Sequence, residues 1–252
     1  MMKYINKKTI ILIILLILAV ICIIVLPRLD KYEEYIILDD YNLVLKDKTI
    51  SFAKDKDVID RSFRIVYADK YIGNYTLKSI DETYGNMYHD EDDKEVIIKK
   101  PLLGLSGNIG YYAFEVEHMN QEDFMIYKKL INGTVDYSLN DLSIANKITL
   151  KDKDGKSTGV KICSVIYEGS DPSEDHSMIF AYDKNKEYLL DEDIPVDDNN
   201  EYLLTRFEPM YILDIRNDEK LELVVAKSYY DSLRYSIYQL HDNYAELFYT
   251  EG

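Results

Sequence analysis

The sequence predicts an all-β, antiparallel domain carried behind one N-terminal transmembrane helix. Three observations lead there. Residues Thr9 to Leu26 form a run of eighteen residues without a charge. The rest of the chain is a series of short segments rich in β-branched and aromatic residues, broken by acidic or glycine-containing turns. From Asn146 to the end, that pattern divides into two similar halves.

As a helix the apolar run would extend roughly 27 Å, close to the thickness of a bilayer's hydrocarbon core. A cleaved signal peptide would have a shorter core and a small-x-small site. Here the run has Ala19 as its one alanine and ends in Leu26-Pro27-Arg28, which predicts a retained anchor. Cys22 follows Ile21, where a lipidation signal needs a small residue, so it is read as one more apolar position. Lys3, Lys7 and Lys8 precede the run without any acid, while Arg28 and Lys31 follow it. Basic residues favour the inner side. The expectation is a cytoplasmic segment over 1–8, an anchor over 9–26 and everything after it extracytoplasmic at the cell membrane.

The chain carries a net charge of -16, and removing the three N-terminal lysines leaves -19 for residues 27–252. That charge disfavours nucleic acid and anionic lipid as direct partners and leaves cations and basic partners open. Past the anchor Cys163 is the one cysteine, so no internal disulfide can staple the domain. It lies among alternating apolar residues, as a buried structural thiol would.

In order, residues 35–55 read as short strands broken at Asp39-Asp40 and Lys46-Asp47-Lys48. Residues 63–77 repeat this, with a turn near Gly73-Asn74. YHDEDDKEVII is an acidic turn leading into a strand, the glycines of LLGLSGNIG mark a bend, and YYAFEVE alternates as a half-buried strand. FMIYKKLI and TVDYSL flank Asn132-Gly133, the signature of a type I′ hairpin. The region 27–145 is thus expected to be β-rich. Residues 146–252 are expected to form two four-stranded meanders, each with a charged first turn, at Asp152 to Lys156 and after Asp214. Asp154 and Asp218 are 64 residues apart and Asp92 precedes Asp154 by 62, which suggests a repeat.

YILDIRNDEKLELVV resembles the first turn of the FG-GAP or VCBS repeats of integrin-type β-propellers. The resemblance implies that each meander is a blade and that the fold is a small or incomplete propeller. It also implies a calcium loop of the form D-x-[DN]-x-D-G-x-x-[DE], whose alternating oxygens suit a hard cation. Asp214, Asp218 and Glu222 match the first, fifth and ninth places. Arg216 stands at the third and Glu219 replaces the glycine. In the preceding turn Asp152, Asp154 and Gly155 match the middle, while Leu150 and Thr158 occupy the ends. Calcium is therefore the one cofactor these residues suggest.

No motif points to catalysis. His89, His118, His176 and His241 lack zinc spacing. His89 and His176 lie in acidic turns, which would raise their pKa. Gly104-Leu105-Ser106-Gly107 is one residue out of the G-x-S-x-G pattern, and no phosphate-binding glycine loop occurs. Carboxylate pairs such as Glu115 with Glu117 or Asp191 with Asp193 could serve a wall hydrolase, but with 46 acids such pairs arise without function. The 24 tyrosines in a chain without tryptophan are the larger excess. Tyr229, Tyr230, Tyr235 and Tyr238 are candidates for a face that meets a protein or cell-wall glycan, although tyrosine also fills strands. The reading is a non-enzymatic, membrane-anchored binding or scaffold protein. A wall hydrolase, or an envelope-sensing regulator of a membrane partner, is the alternative.

Overall fold

The computed structural model describes residues 33–250 apart from 40, 47–48, 68–69, 81–85, 99–101, 132–135, 172–173, 195–203, 229–231 and 241–244, with backbone alone for 245–250. The predicted anchor and Asn132-Gly133 lie outside these residues. No described helix is long and apolar enough to cross a membrane. The chain divides after Gly107 into two compact units, both mostly β and antiparallel.

The first unit is one eight-stranded sheet. Its strands are β1 (Glu34–Leu38), β2 (Tyr41–Lys46), β3 (Thr49–Phe52), β4 (Ser62–Tyr67), β5 (Lys70–Ser79), β6 (Asn86–His89), β7 (Glu95–Ile98) and β8 (Leu102–Leu105), with a one-turn helix α1 (Asp55–Val58) after β3. Across the sheet they run β3-β2-β1-β8-β4-β5-β6-β7, so β8 is inserted between two meanders. Tyr35, Ile37, Phe63, Ile65, Leu77 and Tyr88 form a core on one face, and α1 adds Val58 to it. The LLGL segment is the buried central strand, and the bend expected of this glycine-bearing stretch follows it at Gly107, whose φ is +60°. Gly104 lies opposite both Ile37 and Ile65. A Cβ there would come within 3.1 Å of the Ile37 side chain and 3.3 Å of Ile65, so glycine makes room for two flanking isoleucines. The acidic turn at Asp92 joins β6 to β7, the end of a meander, so the spacing of about 62 residues does not carry the repeat into this unit.

The second unit begins with β9 (Gly110–Tyr112), β10 (Val116–His118) and α2 (Gln121–Leu130). Two four-stranded meanders follow. The first is β11 (Leu142–Lys151), β12 (Ser157–Tyr167), β13 (His176–Tyr182) and β14 (Glu187–Asp193). The second is β15 (Arg206–Asp214), β16 (Glu222–Ser228), β17 (Leu233–Leu240) and β18 (Ala245–Thr250). The expected pair of meanders is therefore present, each widened by a fifth strand: β10 adds to β11, and β9 adds to β15. With these additions the compact unit that holds the meanders begins at Asn108. The sheets pack face to face through Ile148, Ile162 and Ile179 on one side and Phe207, Ile212 and Leu223 on the other. Among the described residues no closed barrel or propeller ring forms.

FMIYKKLI belongs to α2 and is not a hairpin strand. Asn120 caps the helix, accepting from Glu122 N–H at 2.9 Å and Asp123 N–H at 3.1 Å, and Asp123 accepts from Asn120 N–H at 2.7 Å. Acids stand in its first turn and lysines in its last, which complements the helix dipole. Phe124 and Tyr127, one turn apart, bury against Cys163, Val165, Met178 and Phe180 on the outer face of the first sheet. Tertiary burial and the cap override the β preference of these side chains. Cys163 is fully buried as expected, and burial pushes its thiol pKa up.

Candidate binding cleft

The two acidic turns of the second unit meet at one place. The turn between β11 and β12 is closed by Asp152 N–H to Lys156 C=O at 2.8 Å and Gly155 N–H to Asp152 C=O at 2.9 Å, with Gly155 at φ +75°. Asp152 Oδ1 accepts from Asp154 N–H at 3.0 Å and Lys156 N–H at 2.9 Å. The turn between β15 and β16 passes through Asn217 at φ +50° and Glu219 at φ +64°, left-handed positions that are strained for residues with a Cβ. Lys153 of the first turn pairs with Glu219 of the second at 2.7 Å. β9 brings Tyr112 beside them through its pairing with Ile212.

Together with Thr158 and Leu221, these residues line an open cleft of about 210 Å³. Its lining combines one half-buried aromatic ring, a hydroxyl, the carboxylates of Asp152, Asp154 and Glu219, and the ammonium of Lys153. Burial, then the Asp214 carboxylate, pushes the Tyr112 phenol up, so it stays a neutral hydroxyl. The Lys153 hydrogen bond holds the Glu219 carboxyl below its ordinary value, and Glu219 raises Lys153 in return.

The expected calcium ligands are placed differently. Asp214 is 3 % exposed and is used as a cap: Oδ1 accepts from Asp218 N–H at 3.0 Å and Oδ2 from Glu219 N–H at 3.2 Å. Glu222 is fully buried and accepts from Ile215 N–H at 2.9 Å and Gln239 Nε2 at 3.0 Å. Burial raises its pKa to about 7. These oxygens face amides of their own surroundings. Among the described residues no group of three or more His, Cys, Asp or Glu is gathered as a metal site, and no FG-GAP repeat is identifiable.

Tyr235 and Tyr238 are each 2 % exposed, which removes them from the expected recognition face. Tyr238 belongs to the inter-sheet core and donates to Asp191 at 2.8 Å. Tyr229 and Tyr230 lie outside the described residues. Asp191 also holds Lys227, and Asp193 accepts from Thr205 N–H at 2.8 Å, so this carboxylate pair is engaged in structural contacts. His89 meets Asp93 at 2.7 Å, as its acidic turn suggests. His176 is buried beside Tyr127, Tyr137 and Tyr167, and burial lowers its pKa where the neighbouring acids had suggested a rise.

No family model, curated protein or solved structure matches the chain. The cleft is therefore read from its own chemistry. Tyr112 and Glu219 gained their place through sheet order and turn conformation. The sequence signal for Glu219 was the mismatch itself, a charged residue where a turn of this kind takes glycine.

Proposed function

We propose that the chain is an extracytoplasmic binding protein, held to the cell membrane by the helix predicted over 9–26 with its N-terminus inside, and that the cleft at the acidic turns receives a cell-wall glycan. The observation that carries this reading is the convergence of Tyr112 with the two turns around one open cleft. A tyrosine ring offers a flat surface on which a sugar ring can stack, and neighbouring carboxylate, ammonium and hydroxyl groups bond to sugar hydroxyls. Three carboxylates against one ammonium leave the lining negative, so a neutral or amino-bearing glycan suits it and a phosphate-bearing polymer does not. Asp152 and Glu219 are already engaged by turn amides and by Lys153, which favours holding a ligand over transferring a proton. Within this reading each meander of the second unit is a propeller-like blade, and the cleft lies where the first turns of two blades meet.

The test is calorimetric titration of the full-length protein in lipid nanodiscs with an N-acetylglucosamine tetramer and its de-N-acetylated form. Saturable heat that weakens about tenfold or more in Tyr112→Ala is expected, the loss of one stacked ring being worth about 1–2 kcal/mol. Affinity unchanged by Tyr112→Ala, or no binding of either glycan at millimolar concentration, would sink the proposal.

A further inference from the structure

A second groove in the same unit has the opposite chemistry. Along one edge β11 is paired with β12 from Leu142 to Lys151. Along the other, β10 covers Asn146 to Ile148, and Met119 N–H donates to Ala145 C=O at 2.9 Å. There the chain turns away to the Asn120 cap of α2. No described strand lies on that edge of Leu142–Ile144, and this stretch lines a groove of about 330 Å³. Leu142, Ile144 and Met119 supply apolar lining. His118 and Arg206 supply nitrogen donors, and no carboxylate is among the described lining residues. In a chain with 46 acids and 30 lysines and arginines, a groove bearing arginine and histidine without an acid is complementary to an anion. Glu208 lies 3.8 Å from the Arg206 guanidinium, and both side chains are about half exposed, so this contact leaves Arg206 donors available.

We propose that this groove binds the C-terminal end of an extended peptide. The peptide continues the first sheet beside Leu142–Ile144, its last apolar side chain lies against Leu142 and Met119, and its terminal carboxylate is held by Arg206 and His118. An open strand edge supplies main-chain hydrogen bonds to any extended chain, and the Arg206 guanidinium with the His118 ring N–H selects one that ends there. Arginine's planar fork suits a carboxylate in particular. The site is separate from the acidic-turn cleft and does not depend on the glycan reading.

The experiment uses the full-length protein in nanodiscs and a fluorescein-labelled hexapeptide of alternating threonine and valine ending in leucine with a free carboxylate. Anisotropy is compared with that of the same peptide as its C-terminal amide, and of a version N-methylated at alternate residues. The expected result is saturable binding of the acid, at least tenfold weaker binding of the amide and of the N-methylated peptide, and loss of the acid-over-amide preference in Arg206→Gln. Arg206 is exposed, so that variant should fold as the parent does, which circular dichroism checks. Equal binding of acid and amide, a preference that survives Arg206→Gln, or no saturation at millimolar peptide would overturn the proposal.

Discussion

The turns that open the two meanders of the second unit look alike in sequence, yet they solve the same problem by different physics. At Asp152–Lys156 glycine takes the left-handed position and most side chains stay in water. At Asp214–Glu222 the left-handed positions fall on Asn217 and Glu219, the capping aspartate is 3 % exposed, and the glutamate that follows is fully buried and accepts from Ile215 N–H and Gln239 Nε2. The first turn is a solvated connector. The second stores electrostatic and conformational cost beside a cleft, a pattern associated with functional sites.

The largest expected difference is in pH dependence. Glu222 has its folded pKa raised from 4.5 to about 7, chiefly by burial. Its contribution to stability is complete below the unfolded value and is lost as pH rises from 4.5 through about 7, levelling off above. A shift of that size amounts to on the order of 3 kcal/mol. Urea unfolding of the protein and of Glu222→Gln across pH 5 to 9 should show the parent losing stability and the variant staying nearly level. Parallel profiles would remove the contrast between the turns.

Capping comes next. Asp214→Ala strips two part-buried amide hydrogen bonds to a charged acceptor and should cost about 2–3 kcal/mol in denaturant unfolding. Asp152→Ala, on the exposed turn, should cost about 1 kcal/mol. Equal losses would mean that burial does not distinguish them. The smallest effect is a gain. Glu219→Gly relieves the left-handed residue and should raise the thermal midpoint by a few degrees, while removing the Lys153 partner and weakening glycan binding. A midpoint that falls would show that the side chain supports the turn more than its conformation strains it.

What could be read from the sequence follows what local chemistry controls. The meanders from Asn146 onward were legible because apolar strands alternate with acidic turns, and both turns occur where those residues stand. Helix α2 is hidden from a residue-by-residue reading because Phe124, Ile126 and Tyr127 favour strands individually. Their spacing, the Asn120 cap and the acid-to-lysine polarity carried the opposite message. Tyr235 and Tyr238 were assigned to a recognition face because tyrosine has a polar tip. Their strand is buried through Tyr235–Gln239, which composition does not reveal. The bend of LLGLSGNIG is legible in its glycines and falls at Gly107, whereas the role of Gly104 is hidden because it depends on two isoleucines from other strands. The cleft was legible in its turns and hidden in Tyr112, whose neighbours are set by sheet order.

The pairing of Tyr112 with Ile212 also constrains the order of assembly. About a hundred residues separate the partners, and contacts that distant in sequence form slowly because a long loop must close before they can be made. For a chain emerging N-terminus first, β9 must wait for most of the second unit, through Asp214, to appear before its strand partner exists. Meander hairpins, whose partners are close, can form earlier. The cleft would thus be among the last features completed, and the capacity to bind there would mark a molecule that has finished folding.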